Sequence, residues 1–412
     1  MVKATVRALE QATQAIEAHL KEVRSHPDQR SGAHPYYRFH PAGESIGGTV
    51  LIFHGFSARP HQMWRLADYL YDNGFNFYQV PLAGHDRCRP AKNWPQIDLK
   101  PENVAPLMAK VQQDAVLSSA LSKSTSMGKV ATQMAPGQQA ALLDRLFEVV
   151  PEVANISAAI SQPNHPDFTR YFVSSHDQFL ADAKARLAEL AALPGPVYTV
   201  GLSVGGTVAL GLAQAAPERI ERVVVYAPLL KIFGKKRREY VQLTGPLDIS
   251  ETGWDPALRF PVGALTAADY FGSEVRSPTG VKKLKAASVF MTLTENEDAA
   301  DIEASEQFFR DLAAQSGAKV SAQAFQEGKA TAIEANGHQF YKYPSAAMVP
   351  HPMVDPTEVS QGMSNLFWQS LYQETLRFLT AGQVNFKNLG SLAQTSDISA
   401  VAPAEISLPQ RS

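Results

Sequence analysis

The chain has 412 residues, 45% hydrophobic and 19% charged, enough for two or three domains or for one large unit with insertions. A formal net charge of -2 at pH 7 excludes a broad nucleic-acid footprint, and the basic cluster Lys231, Lys235, Lys236, Arg237 and Arg238 reads as a solvated loop. Cys88 is the single cysteine, which excludes an intrachain disulfide and a cysteine-based metal site, and no apolar run reaches the ~18 residues that span a bilayer.

At the N-terminus, Val2, Val6, Leu9, Ile16, Leu20 and Val23 recur at helical spacing among charges of both signs. That pattern describes an amphipathic helix packed on a body, not a signal peptide, and a cytoplasmic location is the default expectation. Residues 49–53 (Thr-Val-Leu-Ile-Phe) read as a strand, a helix begins near Pro60, and residues 75–80 read as the next strand. Residues 179–193 predict a helix. Pro194-Gly195-Pro196 then introduces a short β-branched strand at 197–200, followed by a helix at 206–216 that stops at Pro217. Further strands are predicted at 222–226 and 288–293, with a helix at 302–314 behind the second. Residues 320–325 are expected to be the last core strand and 359–379 a closing helix. This alternation predicts an α/β fold, a mainly parallel sheet with helices on both faces.

Two segments break the rhythm. Residues 87–170 hold helical patterns at 104–121 and 138–150, joined by a Ser/Lys/Gly-rich stretch at 122–137. Residues 231–286 form a second insertion with Trp254, Phe260, Tyr270 and Phe271. Excursions of this length cover or line a site, so both are read as lid or cap insertions. The expected organisation is a lead-in at 1–45, a core made of 46–86, 171–230 and 287–385, the two insertions, and a loosely held tail at 386–412.

Gly201-Leu202-Ser203-Val204-Gly205 fits the G-x-S-x-G nucleophile elbow and stands between a predicted strand and a predicted helix, where such an elbow must stand. A serine hydroxyl is a poor nucleophile near neutral pH and needs a base, and the base needs a group that orients it. In G-x-S-x-G proteins the acid and then the histidine follow the serine in the chain, which leaves His338 and His351. His338, in a turn just past the last predicted strand, is taken as the general base. His351 lies between prolines in a long connection.

The acid should follow the strand at 288–293, in the loop Thr294-Glu295-Asn296-Glu297-Asp298-Ala299-Ala300-Asp301. Asp298 fits best, Asp301 reads as the N-cap of the helix from Ile302, and Glu295 and Glu297 read as solvated. Two backbone N–H groups should hold the oxyanion, one from Val204 at the start of the elbow helix and one from Phe56 in the loop His54-Gly55-Phe56-Ser57. His54 precedes the serine and reads as a buried residue shaping that loop. No H-E-x-x-H or comparable ligand spacing occurs, so neither a metal nor a cofactor is expected.

Taken together, His54-Gly55-Phe56, Pro81-Leu82-Ala83-Gly84-His85-Asp86, the elbow at 201–205, Asp298 and His338 resemble the α/β-hydrolase superfamily in its esterase/lipase branch. The resemblance covers residues 46–230 and 287–380, less the first insertion, and implies that Gly84-His85-Asp86 is a structural turn. The first insertion is longer than the family pattern. So is the stretch from Asp298 to His338, which leaves room for an extra hairpin around Glu327-Gly328-Lys329. The implied activity is hydrolysis of a small-molecule or lipid-like carboxylic ester through an acyl-enzyme, with no nucleic-acid partner. Acyl transfer or thioester cleavage at the same site is the second reading, and a non-catalytic binding protein on the same scaffold is the third.

Overall fold

A computed structural model describes residues 1–120, 136–245, 250–252 and 258–393. Residues 122–135 of the Ser/Lys/Gly-rich stretch, Trp254 and the tail beyond residue 393 lie outside the described residues.

Short β-branched runs, buried along most of their length, build one eight-stranded sheet. Its strands are β1 (Tyr36–Arg38), β2 (Thr49–Phe53), β3 (Asn76–Val80), β4 (Val197–Leu202), β5 (Ile220–Tyr226), β6 (Ser288–Thr294), β7 (Thr331–Ala335) and β8 (His338–Tyr343). The spatial order is β7-β8-β6-β5-β4-β2-β3-β1. The strands from β8 to β3 run parallel, while β7 and β1 pair antiparallel at the two edges. All carboxyl ends of the parallel strands therefore emerge on one side of the sheet.

Among the described residues, the helices that flank this sheet include α1 (Val6–Ser25), α2 (Trp64–Asp72), α3 (Gln178–Glu189), α4 (Val204–Ala215), α5 (Ile302–Gln315) and α6 (Trp368–Ala381). Side-chain alternation along β4 distributes them. Val200 and Leu202 join a buried cluster with Leu66 and Leu70 of α2 and Leu371 and Phe378 of α6. Thr199 points to the other face, where its hydroxyl donates to the Ala209 carbonyl of α4 at 3.3 Å. Along α1, Ala12, Ile16, Leu20 and Val23 are the buried positions, and the Thr5 side chain caps the helix by accepting from Ala8 N–H at 3.1 Å.

The chain divides into two compact units, one formed by residues 1–88, 179–233 and those from 275 on, the other by residues 89–178 and 234–274. In the second unit Asp269 accepts from Arg238 Nε at 2.9 and 3.0 Å and from Gln242 at 3.1 Å, and Phe168 stacks on Tyr270 with ring centroids 4.4 Å apart.

The chain after residue 315 differs from the sequence expectation. Residues 320–325 are not a strand. They hold a short 3-10 turn, Ala322–Ala324, largely exposed, with Phe325 resting on Phe340. The last core strand is β8, joined to β7 by the two-residue turn Asn336-Gly337, with φ of 49° and 86°. Positive φ at both positions is the type I′ geometry that Asn-Gly favours, so the extra hairpin lies here and not around Glu327-Gly328-Lys329. The closing helix starts at Trp368, and residues 359–367 before it are irregular, with Ser360 bridged to Met363.

Candidate active site

Ser203 follows β4 directly and sits at φ 56° and ψ -121°, a conformation that costs an L-residue energy and persists only where surroundings enforce it. They do so through hydrogen bonds on both sides of the residue. Ser203 N–H donates to the Tyr226 carbonyl at 2.9 Å, and Leu229 N–H donates to the Ser203 carbonyl at 3.0 Å. The flanking glycines are required by space. A Cβ on Gly201 would lie 2.2 Å from the Gly205 carbonyl oxygen, and one on Gly205 would lie 2.3 Å from that of His54. Val204 opens α4, so its N–H has no carbonyl one turn back to bond, and the helix dipole adds positive potential there.

The loop after β2 is held by side chains. His54, fully buried, donates from Nδ1 to the Gly55 carbonyl at 2.7 Å, while its Nε2 accepts from Leu82 N–H at 3.0 Å. Both ring nitrogens are used internally, and burial lowers the His54 pKa to about 3. Arg30 donates to the carbonyls of Ser57 at 2.7 Å and Ala58 at 2.9 Å. His85, in the Gly84-His85-Asp86 turn, is buried and packs its ring edge-on to Phe56.

Beyond β6 and β8 the structure joins two side chains in a buried pair. His351 Nδ1 and Glu297 Oε2 lie 2.7 Å apart, and Glu297 Oε2 also accepts from Ala300 N–H at 3.1 Å. Thr294 Oγ1 donates to the Val349 carbonyl at 2.6 Å, and Asn296 bridges to Pro350, which ties the two loops together. A carboxylate can only accept, so Nδ1 carries the proton and Nε2 holds the lone pair. His351 Nε2 is buried with no hydrogen-bond partner. Burial alone would lower the His351 pKa, but Glu297, with Asp298 and Glu358 beyond it, outweighs burial and raises it above the ordinary histidine value.

His338 is not placed for the role expected of it. It begins β8, pairs with Ala335, and lies beside the amino-terminal end of β6. Its Nδ1 accepts from Val289 N–H at 3.2 Å and its Nε2 meets Ser316 Oγ at 2.9 Å. Ser203 stands at the carboxyl ends of the strands, about 17 Å away along a strand the length of β8. Burial lowers the His338 pKa to about 4, as suits an imidazole kept neutral. The cause of the correction is the displaced last strand: with β8 ending at Tyr343, the histidine that follows it is His351.

Asp298 is corrected by one position. The carboxylate bonded to a downstream histidine belongs to Glu297, while Asp298 Oδ2 accepts from Gln361 Nε2 at 3.0 Å. Glu297 is buried rather than solvated. Asp301 is the N-cap of α5, accepting from Ala304 N–H at 2.9 Å. Among the described residues, Glu297, Asp298 and His351 are the one group whose ligand atoms could hold a metal ion, all within 4.8 Å of one another.

A signal for this arrangement was present in Asn336-Gly337, a strong local mark of a hairpin that puts strands on both sides of it. The strand that follows was masked by Lys342, which is buried but paired with Glu306 at 2.8 Å and Glu295 at 3.5 Å.

A nucleophile elbow on a parallel sheet, with an imidazole–carboxylate pair in the loops at the same edge, defines a class of α/β protein. The family model for the alpha/beta hydrolase fold matches residues 48–244, and the chain has the α/β-hydrolase fold. Similar solved structures include a soluble variant of monoglyceride lipase from Saccharomyces cerevisiae, at 13% identity over 88% of this chain and 98% of that one, with a TM-score of 0.43. Monoacylglycerol lipase from Paleococcus ferrophilus aligns at 12% identity over 85% and 99%, with a TM-score of 0.44. Est1E from Butyrivibrio proteoclasticus aligns at 11% identity over 84% and 93%, with a TM-score of 0.43. No curated protein matches the sequence. No helix among the described residues is long and apolar enough to cross a membrane.

Proposed function

We propose that this protein hydrolyses carboxylic esters through an acyl-enzyme on Ser203, with His351 as general base and Glu297 as the carboxylate that orients it. The observation that carries the reading is the buried His351–Glu297 bond of 2.7 Å in the loops at the sheet edge where the strained Ser203 stands. In this mechanism Ser203 Oγ attacks the ester carbonyl and its proton passes to His351 Nε2. Glu297 holds the tautomer and stabilises the imidazolium, and the N–H groups of Phe56 and Val204 bond the tetrahedral oxyanion. The imidazolium protonates the leaving alcohol, then the neutral ring activates water to release the acid.

The substrate class we infer is a small-molecule or lipid-like ester. Its acyl group is taken to be hydrophobic because the insertions contribute the aromatic residues Trp94, Phe168, Phe260, Tyr270 and Phe271. A panel of p-nitrophenyl esters graded by chain length tests this, and a fluorophosphonate adduct mapped by peptide mass tests the nucleophile. Labelling at any residue other than Ser203, or no turnover across the panel, overturns the reading. Competing alcohol and amine acceptors separate hydrolysis from acyl transfer. Turnover should survive a chelator; loss that added divalent metal restores would replace acid–base chemistry by metal chemistry at Glu297, Asp298 and His351.

A further inference from the structure

The oxyanion loop depends on a side chain that takes no part in the chemistry just described. Gln62 lies in the 3-10 turn Pro60–Met63, immediately after that loop, and is only 8% exposed. Its Oε1 accepts from Gly55 N–H at 2.7 Å. Its Nε2 donates to both carboxylate oxygens of Glu358, each at 2.9 Å. The partners fix which end of the amide faces which way, because an N–H only donates and a carboxylate only accepts.

What this bond controls follows from peptide geometry. The Gly55–Phe56 peptide presents the Gly55 carbonyl at one end and Phe56 N–H at the other, pointing in opposite directions across a trans unit. His54 Nδ1 pins that carbonyl at 2.7 Å. Gln62 pins the preceding peptide through Gly55 N–H, so both planes flanking the Gly55 Cα are held by side chains. Glycine rotates readily about this Cα, and without the second tie the Phe56 N–H can turn away from the point where the oxyanion forms. Glu358 belongs to the segment that follows His351, and Gln361 of the same segment donates to Asp298 at 3.0 Å. The brace on the oxyanion loop is thus anchored in the segment that carries the base.

We propose that Gln62, braced by Glu358, is the positioning residue that fixes Phe56 N–H for the tetrahedral intermediate, joining the oxyanion loop and the base-bearing segment into one hydrogen-bonded unit. The inference rests on the ester-hydrolase reading above.

The test is an exchange of the two partners. Gln62→Glu sets two carboxylates against each other, whereas Gln62→Glu together with Glu358→Gln restores an acceptor for Gly55 N–H and a donor for the acidic partner. Burial pushes the Glu358 carboxyl up to about 7, and a second carboxylate beside it would push it higher and let the pair share a proton, so the variants are compared from about pH 7 to 9 and judged at the alkaline end. Gln62→Glu should lower kcat by about 10- to 100-fold with KM within about 3-fold, and weaken a trifluoromethyl ketone analogue of the tetrahedral species in parallel. The exchanged pair should return kcat to within about 3-fold of wild type.

Unchanged kcat in Gln62→Glu, a rise in KM alone, or an exchanged pair no better than the single variant overturns the proposal. Should Gln62→Glu fail to fold, the exchanged pair decides alone: near-wild-type kcat supports the brace, and a loss of about 10-fold or more overturns it. Failure of the underlying reading looks different, because wild type itself would then show neither turnover nor a Ser203 adduct, and the inference would fall with it.

Discussion

The two ends of β8 each have a buried histidine, and they are built for opposite purposes. His338, at the amino-terminal end, is 3% exposed and has both ring nitrogens engaged, by Val289 N–H and by Ser316 Oγ. His351, beyond the carboxyl end, is 5% exposed and has Nδ1 bonded to Glu297 while Nε2 has no partner. Burial does not distinguish them. The candidate base is the ring with one nitrogen oriented by a carboxylate and the other kept available. A histidine whose donor and acceptor are both consumed can only hold structure together.

The sharpest way to break this comparison is to remove the reacting groups. Ser203→Ala should lower kcat by about 10⁴- to 10⁶-fold, and His351→Ala by a similar factor, because the members act as a unit. His338→Gln should leave kcat within about 3-fold of wild type while lowering Tm through the loss of buried hydrogen bonds worth about 1–3 kcal/mol. Turnover of an activated ester and a thermal melt on each purified variant decide the matter. A His338 variant as inactive as the Ser203 variant would reverse the assignment.

A smaller effect separates the two neighbouring acids. Glu297→Gln should cost about 10²- to 10⁴-fold in kcat by disturbing the tautomer of His351, whereas Asp298→Asn should cost less than about 10-fold. The pH profile sharpens the point. A base must be neutral, so the raised His351 pKa sets the acid limb of kcat/KM above the ordinary histidine value. Removing the Glu297 charge should move the limb of the residual activity to lower pH, and a limb that stays in place would exclude Glu297 as the source of the shift.

The smallest expected difference lies in stability. The His338 pKa is lowered to about 4 from 6.5, so between those values the unfolded chain binds more protons, and stability is lost as pH falls through that window. The His351 pKa is raised, so its contribution is complete below the unfolded value and is lost as pH rises through the folded one. Melting curves from pH 4 to 8 should show a flatter acid side for His338→Gln and a flatter alkaline side for His351→Gln.

Much of this was legible in local patterns. The runs at 49–53 and 197–200, the G-x-S-x-G turn, the loop at His54-Gly55-Phe56 and the Asp301 cap are written in contiguous residues, whose propensities and backbone demands act over a few positions. The carboxyl-terminal third was harder to read because its strand contains Lys342, tolerated in the interior only through Glu295 and Glu306, which lie far away in the chain. A polar residue at a core position breaks the periodicity that a sequence reading follows, and the apolar alternation at 320–325 supplied a false substitute.

The amino-acid order alone determined the sheet class and the strained strand-to-helix turn at 201–205, since each rests on short-range geometry. Which acid and which histidine stand together was decided only by tertiary structure. A shift of the last strand by some eighteen residues along the chain (from 320–325 to His338–Tyr343) moves one histidine from the carboxyl to the amino edge. In a parallel sheet those edges are a strand length apart, and an imidazole can bond a carboxylate only across about 3 Å.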